Sequence, residues 1–274
     1  MENKNFKYLS IVDYYNNKWI IIKRVSKGGF GQVYHAISDK GDNKIVKIEP
    51  HSNGTLFCEQ SFYINVHKHS FSGVPKFYGF GIFTVDNYKY RFILLDLYPI
   101  SLYKSIKSIG TLPIDIICDL SIRIIEILED IHSVGYSHGD IKSDNILLDS
   151  NGLYLIDYGL SHKFIVNNVH IKYIENLHML HNGSPNFTSL DAHRGVRVSR
   201  RGDLENLGYC ILSWSTRLPW LGLKSNNDIM KMKEKTFGLI GPEYIMTYFN
   251  HIKLLSYYDK PNYNYLINIF KFNK

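Results

Sequence analysis

The sequence has few cysteines and no long apolar run, and these shortages exclude several classes of protein. Three cysteines occur in 274 residues, far apart and without a paired motif, which favours a reducing intracellular compartment over a disulfide framework or a zinc site. No run of about eighteen apolar residues is present, so we expect no membrane-spanning helix. The N-terminal stretch lacks the apolar core of a signal peptide. The predicted location is therefore the cytoplasm, with no membrane partner.

The sequence also lacks a dense basic run, although its formal net charge is +7. The lysines are scattered and are not interleaved with aromatic residues, so we expect no specific nucleic-acid binding. A diffuse positive surface would still attract ATP or acidic partners. The content of 45% hydrophobic and 21% charged residues is typical of a globular protein. The length suits one two-lobed unit or two small domains.

The periodicity of the apolar residues changes along the chain. The first hundred residues predict strands in "KWIIIKRVSKGGFGQVYHAIS", "NKIVKIEP" and "YKYRFILLDLY", with one short helix in "LFCEQSFYINVHK". Helical spacing follows over residues 113–133, and "DLENLGYCILSW", which begins at Asp203, predicts a buried helix. Between them, "NILLD" and "LYLID" predict a hairpin that turns around Asn151 and Gly152. A strand-rich half thus precedes a helix-rich half, which indicates an α+β protein.

A glycine loop, "SKGGFGQV", joins the first two predicted strands. Gly28 and Gly31 occupy two positions of a G-x-G-x-x-G frame, and Ser26 stands at the first glycine position. Glycines let backbone N–H groups approach phosphates without a clash from Cβ. Because the loop lies between strands and does not open a helix, it favours a flap over a nucleotide rather than a dinucleotide fingerprint. An ordinary hairpin turn is the alternative.

A lysine, Lys47, lies inside the apolar strand "IVKIE". Burying its ammonium is costly unless it is paired or bound to a ligand, although the side chain could also extend to solvent. Twelve residues later, Glu59 lies on the predicted short helix and can return a carboxylate to it. A lysine–glutamate pair that holds the α- and β-phosphates is what a kinase ATP site requires. Loss of Lys47 is then expected to lower activity and to leave the fold intact.

The run "GYSHGDIKSDNILLD", followed by "LIDYG", concentrates polar groups beside two apolar strands. Phosphoryl transfer depends on positioning and on electrostatic stabilisation, so such groups are expected to converge on one metal–phosphate cluster. Asp140 would orient the attacking hydroxyl and accept its proton, and Lys142 would neutralise charge on the γ-phosphate. Asn145 and Asp157 would hold Mg²⁺. The alternative for each residue alone is a solvated loop.

These motifs together resemble the eukaryotic-type protein kinases of the casein kinase I group, and within it the vaccinia-related kinases and their poxviral relatives. The specific evidence is "HNGSPNFTSLDAHRGVRVSRRGDLENLGYCILSW", residues 181–214, since that family has a nearly identical block before its central helix. The resemblance spans roughly Trp19 to Phe270. It implies an α+β, two-lobed protein-kinase fold, with a β-rich N-lobe over residues 1–95, a hinge over 96–98 and an α-rich C-lobe over 99–274.

The resemblance also implies an ATP site. Leu95 is at the gatekeeper position, the backbone of Asp96 to Tyr98 would bind adenine, and three apolar side chains would sandwich the ring. The nucleotide-binding residues implied are Ser26, Gly28, Gly29, Phe30, Gly31, Val33, Ile45, Lys47, Glu59, Leu95, Asp96, Tyr98 and Leu147.

The catalytic residues implied by the resemblance are Asp140, Lys142 and Ser184, and the metal ligands are Asn145 and Asp157. Ser184 stands where the family usually has a threonine that bridges the catalytic aspartate and lysine. Asp203 would anchor the backbone of the catalytic loop from the central helix.

Two departures from the usual kinase pattern, and one group of basic residues, carry expectations of their own. Glycine at position 139 replaces the arginine found in kinases that need phosphorylation of the activation loop, so we expect activity without it. The region after Glu59 is short, which leaves open how that glutamate is supported. A basic group is expected to bind an anion near the activation segment. Its members are Arg197, Arg200 and Arg201.

The implied function is transfer of the ATP γ-phosphate, with Mg²⁺, to serine or threonine of protein substrates by a monomer. The family phosphorylates a small DNA-bridging chromatin protein, which in poxviruses relieves a block to viral DNA replication, so a viral chain would act in the host-cell cytoplasm. Two alternatives are a pseudokinase that acts as a binding module, and a small-molecule phosphotransferase of kinase-like fold. The filled catalytic positions argue against the first, and Lys142 with the 181–214 block argues against the second.

Overall fold

The computed structural model describes residues 4–28 and 31–274, and the chain divides into two compact units. The first unit runs to Ser70 and resumes over Pro75–Tyr98, and the second comprises Phe71–Val74 and Pro99–Lys274. The division at Tyr98 adjoins the predicted hinge over 96–98. The segment Phe71–Val74 departs from the predicted boundaries, which placed it in the N-lobe.

The reason for this departure is a close approach of backbone in the second unit. The carbonyl of Gly73 accepts a hydrogen bond from the backbone N of Leu155 at 2.9 Å. A Cβ at Gly73 would lie 2.3 Å from the side chain of Ile127, and the residue has φ +78°. Glycine is therefore what lets this short segment lie against the second unit.

Within the described residues, the first unit contains one antiparallel sheet of six strands and one α-helix. The strand order is β1-β2-β3-β4-β6-β5. The strands are β1 (Ser10–Val12), β2 (Lys18–Lys27), β3 (Gln32–Ser38), β4 (Asn43–Pro50), β5 (Phe77–Val85) and β6 (Tyr88–Leu95). Helix α1 (Thr55–Val66) follows β4 and precedes a 3₁₀ turn, His67–His69.

The alternation of side chains along β4 separates the core of this unit from its polar positions. Val46 and Ile48 are buried, in a cluster with Trp19, Tyr34 and Phe92. Since successive side chains of a strand point to opposite faces, Lys47 lies on the face opposite Val46 and Ile48. The strand thus contributes apolar groups to the core and one ammonium to the other face.

The second unit is mainly helical. Its helices are α2 (Leu102–Ile109), α3 (Ile114–Ser133), α4 (Leu190–His193), α5 (Arg200–Ser215), α6 (Asn226–Thr236), α7 (Glu243–Leu254) and α8 (Tyr263–Lys271). Its short strands are β7 (Ile100–Ser101), β8 (Tyr136–Ser137), β9 (Ile146–Asp149), β10 (Gly152–Leu155), β11 (His162–Lys163), β12 (Ile165–Val166) and β13 (Val169–His170).

The two long helices predicted from periodicity form the centre of this unit. Pro113 is the N-cap of α3, where its missing N–H costs nothing, and the helix ends at Ser133 as predicted. Helix α5 begins at Arg200, three residues before the predicted start at Asp203, and is buried over most of its length. No helix of the described chain is long and apolar enough to span a membrane.

The hairpin β9–β10 lies next to the polar loop. Asp149 pairs with Gly152, so the turn residues are Ser150 and Asn151, one position earlier than predicted. The Asp149 carboxylate accepts hydrogen bonds from the backbone N of Asn151 at 2.7 Å and of Gly152 at 3.0 Å. This arrangement leaves the loop before β9 and the residues after β10 at the same end of the hairpin.

Candidate active site

A buried carboxylate on α5 accepts hydrogen bonds from the start of the loop of residues 138–145. One oxygen of Asp203 accepts the backbone N–H of His138 at 2.7 Å, and the other accepts that of Gly139 at 2.8 Å. The Nε2 of His132 lies 2.9 Å from the same carboxylate. Burial alone would raise the pKa of Asp203, but these hydrogen bonds, foremost from His132, bring it below its usual value. The carboxylate is therefore ionised and fixes the start of the loop, as the resemblance implied.

A second anchor of the loop is the imidazole of His138, which is fully buried. Its Nδ1 accepts the backbone N–H of Asp140 at 3.2 Å, and its Nε2 lies 3.1 Å from the carbonyl of Ile156. One acceptor and one donor nitrogen describe a neutral ring with its proton on Nε2. Burial lowers the pKa of His138, which agrees with this neutral form.

The backbone at Gly139 requires glycine. Its φ is +84°, and a Cβ there would lie 2.9 Å from the carbonyl oxygen of Leu160. A larger side chain would meet both left-handed strain and a backbone atom. An arginine could therefore not replace Gly139 without a change in the local backbone.

The loop places Asp140 against Lys142 and Ser184. The Lys142 Nζ lies 2.6 Å from one carboxylate oxygen of Asp140 and 2.8 Å from the Ser184 hydroxyl. The other carboxylate oxygen accepts the backbone N–H of Ser184 at 3.1 Å. Both charged side chains are partly accessible, at 13% for Asp140 and 21% for Lys142. The structure therefore brings together the three predicted catalytic residues around one accessible carboxylate.

The two predicted metal ligands, Asn145 and Asp157, follow this carboxylate in sequence. The Nδ2 of Asn145 donates to the Asp140 carbonyl at 2.8 Å, and no hydrogen bond from the described residues reaches its Oδ1. Asp157 has φ +66° and ψ +71°, a left-handed conformation that aspartate adopts more readily than most non-glycine residues. Its Oδ1 accepts the backbone N–H of Gly159 at 3.4 Å.

An amide oxygen and a carboxylate are oxygen donors that suit Mg²⁺. Among the residues that the structure describes, no group of three or more His, Cys, Asp or Glu side chains could hold a metal ion. Such a group is not required, since Mg²⁺ is typically held by one or two protein ligands together with phosphate oxygens and water. Asn145 and Asp157 thus fit Mg²⁺ as a partner of a bound nucleotide.

In the first unit, Lys47 and Glu59 form the predicted ion pair. The Lys47 Nζ lies 2.6 Å from Glu59 Oε2, and the two side chains are 17% and 1% exposed. Helix α1 brings Glu59 to this position on its buried face, beside Phe62 and Tyr63. The lysine therefore retains access to a ligand, whereas the glutamate does not.

Part of the predicted glycine loop, Gly29 and Phe30, lies outside the described residues. At the base of the loop, the N–H of Gly28 donates to the carbonyl of Gly31 at 2.9 Å. A Cβ at Gly31 would lie 2.5 Å from the backbone oxygen of Ile48, so this glycine permits close packing on β4. Ser26 belongs to β2 and pairs with Val33, which makes it a strand residue at the base of the loop.

The remaining predicted nucleotide-binding residues lie in strands or in the segment that follows β6. Leu95 is buried as the last residue of β6, and it pairs with Ile45. Asp96 accepts a hydrogen bond from Lys44 Nζ at 2.8 Å, and Tyr98 is half-buried. Val33 and Ile45 in the first unit, and Leu147 on β9 in the second, are also half-buried residues.

The predicted anion-binding group of arginines is corrected by the structure. Arg201 makes a bidentate ion pair with Asp191, at 2.8 Å and 2.7 Å. Arg200 stacks on the ring of Phe164 at 4.6 Å and donates to two backbone carbonyls of the 258–259 turn. Two of the three guanidinium groups are therefore engaged within the protein.

Sequence reasoning missed a set of buried polar residues in the second unit. Lys233 and Glu205 are almost completely buried. Lys233 lies in no recognised motif, and Glu205 lies in the 181–214 block but was given no role there. For Lys233 the pattern even misleads, because it alternates with exposed lysines in "KMKEK". Glu205 carries a weak signal, since it is a carboxylate within an otherwise buried helix.

Comparisons with known proteins show which family this chain belongs to. Residues 19–240 match the protein kinase domain. The chain is 39% identical over 284 residues to the probable serine/threonine-protein kinase FPV212 of Fowlpox virus (strain NVSL), with 94% of each chain covered. It is 40% identical over 228 residues to the serine/threonine-protein kinase VRK2 of Homo sapiens. The aligned region covers 76% of this chain and 45% of VRK2.

A solved structure, that of vaccinia related kinase 3, matches with a TM-score of 0.88 at 27% sequence identity. The match covers 99% of this chain and 91% of that chain. These similarities confirm the predicted fold class, with a β-rich N-lobe and an α-rich C-lobe, and they confirm the predicted resemblance.

Proposed function

The chain belongs to the protein kinase family and, within it, to the vaccinia-related kinases, and from this premise we propose specific roles for its residues in serine/threonine phosphorylation. Asp140 orients the hydroxyl group of a protein serine or threonine and accepts its proton as the phosphoryl group is transferred. The observation that carries the proposal is the setting of Asp140. Its carboxylate is accessible, yet Lys142 and the Ser184 backbone hold it in place.

Lys142 has a second task in this proposal. Its ammonium contacts both Asp140 and the Ser184 hydroxyl, so it is preorganised to meet negative charge that develops on the transferred phosphoryl group. A preorganised charge costs no reorganisation at the moment of reaction, which is the main source of catalysis in phosphoryl transfer.

Asn145 and Asp157 would hold Mg²⁺. When bound, this ion neutralises charge on the phosphate oxygens of ATP. The Asn145 side chain also donates to the Asp140 carbonyl, so one amide would serve the metal through its oxygen and the catalytic residue through its nitrogen.

In the first unit, Lys47 would bind the α- and β-phosphates of ATP while Glu59 holds its ammonium in position. The loop after Lys27 would cover the phosphates with backbone N–H groups, and Gly28 and Gly31 make this approach possible. The backbone of 96–98 would bind adenine.

The decisive experiment is the Asp140→Asn variant in an assay with radiolabelled ATP and a protein substrate. Turnover should fall by at least about 100-fold, the contribution of a positioned acid–base group. Asp144→Asn is the matched control, because Asp144 is an exposed carboxylate of the same loop, and it should retain wild-type turnover. Equal rates for wild-type and Asp140→Asn protein would refute the role of Asp140, and no activity in either would favour the pseudokinase alternative.

The finer identity of the substrate is proposed on the basis of the family alone. We propose that this kinase phosphorylates the N-terminal region of a small DNA-bridging chromatin protein, that it acts as a monomer in the cytoplasm, and that in a poxvirus-infected cell this would support viral DNA replication. A phosphoproteomic comparison of cells that contain the active protein or Asp140→Asn tests the substrate. Phosphorylation of that chromatin protein should depend on the active form, and unchanged phosphorylation would refute the proposal.

A further inference from the structure

A buried lysine on α6 contacts the backbone that follows Ser184. The Nζ of Lys233 lies 2.8 Å from the carbonyl oxygen of Pro185 and 2.6 Å from that of Thr188. It also lies 3.2 Å from Nε2 of His193. The residue is fully buried. An ammonium in this position carries a large desolvation cost, so its contacts need an explanation.

The contacts of Lys233 match the charged form of the amine. An ammonium has three N–H donors, and three acceptors surround it. Its charge also lies over the ring of Tyr209 at 4.4 Å and near that of Trp220 at 5.5 Å, an arrangement that stabilises a desolvated cation. Burial lowers the pKa of Lys233 to about 7, and the nearby charge of Glu205 opposes this effect. The three acceptors and the ring faces are the contacts that favour the charged amine.

The neighbouring histidines agree with this assignment. Burial, followed by the charge of Lys233 and by His181, lowers the pKa of His193 to about 3. A neutral His193 accepts from Lys233 at Nε2 and carries its proton on Nδ1. That Nδ1 lies 2.8 Å from Nδ1 of His181, which then accepts. From Lys233 through His193 to His181, each donor therefore faces one acceptor.

Other buried side chains hold the same stretch of backbone, residues 184–190. The indole N–H of Trp220 donates to the carbonyl of Asn186 at 2.9 Å. The carboxylate of Glu205 accepts the backbone N–H of Leu190 at 2.8 Å and the Tyr209 hydroxyl at 2.7 Å. Segment 184–190 is therefore fixed by side chains that contact its backbone and do not depend on its sequence.

The segment leads directly to the catalytic residues. The carbonyl of Ser184 accepts the backbone N–H groups of Phe187 and Thr188, each at 2.8 Å. Ser184 in turn contacts Asp140 through its backbone N–H and Lys142 through its hydroxyl. A continuous series of hydrogen bonds thus runs from Lys233 through Thr188 and Ser184 to Asp140.

We propose that Lys233 is a positioning residue for phosphoryl transfer, whose buried ammonium holds the turn 184–188 so that Ser184 meets Asp140 and Lys142. The inference rests on the role proposed above for Asp140. Lys233 touches neither ATP nor the acceptor hydroxyl in this scheme, and it acts only through Ser184. Its loss should therefore lower kcat and leave nucleotide binding unchanged.

The test compares Lys233→Met with Lys235→Met, an exposed lysine of the same helix. The kcat of Lys233→Met should fall by about 10- to 100-fold, because a displacement of about 1 Å in a reacting group can cost that much. The Kd for ATP, measured by titration without protein substrate, should stay within about twofold of wild-type. A value in this range also shows that the variant is folded. Lys235→Met should match the wild-type in both measurements. An unchanged kcat in Lys233→Met overturns the proposal.

A double-variant cycle shows whether Lys233 acts through Ser184. If it does, Ser184→Ala with Lys233→Met should be no more than about threefold slower than the slower single variant. A kcat reduction equal to the product of the two single effects would overturn the proposal. Lys233→Gln, which keeps two N–H donors in a smaller side chain, should recover part of the kcat lost in Lys233→Met. If Lys233→Met does not bind ATP, the same cycle with Lys233→Gln decides.

The two proposals fail in different ways. If Asp140→Asn retains the wild-type rate, the proposed catalytic role is wrong whatever Lys233 does. If Asp140→Asn abolishes turnover while Lys233→Met retains it, only the positioning role of Lys233 is wrong.

Discussion

Replacing Lys47 by methionine should lower both the activity and the stability of this kinase. From the sequence, the lysine was expected to meet phosphate only, so its loss would leave the fold intact. The structure changes that expectation, because its partner Glu59 is 1% exposed while Lys47 is 17% exposed. Lys47→Met would leave a buried carboxylate without this cation.

The magnitude follows from the burial of the pair. Removing one partner of a buried ion pair costs about 3–5 kcal/mol. Lys47 keeps some contact with water, so we expect a loss of about 2–3 kcal/mol in the free energy of unfolding. In a protein of this size that loss lowers Tm by about 4–12 °C. Activity should fall by at least about 100-fold, the usual effect of removing a preorganised charge from a phosphoryl-transfer site.

A second variant separates the two effects. In Lys47→Met/Glu59→Gln the buried negative charge that faced Lys47 is gone, so most of the lost Tm should return, whereas activity should stay low because no ammonium meets the phosphates. Thermal melting without nucleotide and the initial kinase rate are the two measurements. Lys44→Met is the control, since Lys44 lies on the same strand and pairs with the more exposed Asp96. It should lose at most about 1 kcal/mol.

Three results would refute this reasoning. A wild-type Tm for Lys47→Met would mean that buried Glu59 does not need the lysine. A double variant as unstable as Lys47→Met would mean that the ion pair is not the cause of the loss. Activity restored in the double variant would mean that Lys47 has no role at the phosphates.

Three further predictions concern the second unit. Asp203→Asn turns an amide N–H toward a buried backbone N–H, so the free energy of unfolding should fall by about 3–5 kcal/mol. Asp119→Asn removes a carboxylate that is 46% exposed and forms an ion pair with the half-exposed Lys274, so it should lose at most about 1 kcal/mol. Protein made in bacteria and stripped with phosphatase should show its full initial rate, because Gly139 needs no phosphate to balance a charge; a lag that shortens at higher enzyme concentration would contradict this. Burial lowers the pKa of His193 to about 3 in the folded state, so the unfolded state binds the proton first as pH falls below about 6.5. This linkage should remove about 2 kcal/mol from the free energy of unfolding between pH 6.5 and 5, and in denaturant titrations the total drop in His193→Gln should be smaller by about that amount; an equal drop in both proteins would contradict the assignment.

The sequence by itself determined the features that depend on near neighbours. Strand alternation placed Lys47 on the face opposite Val46 and Ile48, and helical periodicity located α3 and α5 within a few residues. Asp140, Lys142 and Asn145 lie in one short loop, so their convergence followed from spacing alone. These inferences hold because the periods of strands and helices are local properties of the backbone.

Only the tertiary structure decided which distant residues meet. Ser184 is 44 residues from Asp140, and Lys233 is 45 residues from Thr188. The entropy of closing such loops changes little with their length, so sequence separation does not say which partners are chosen. The pairing of Arg201 with Asp191 shows this directly, since three neighbouring arginines look like a free anion site until the fold engages two of them. Burial, too, could not be predicted from sequence. Lys233 and Lys235 lie in the same short run, but the packing of α6 on segment 184–190 makes Lys233 a buried hydrogen-bond donor and leaves Lys235 exposed.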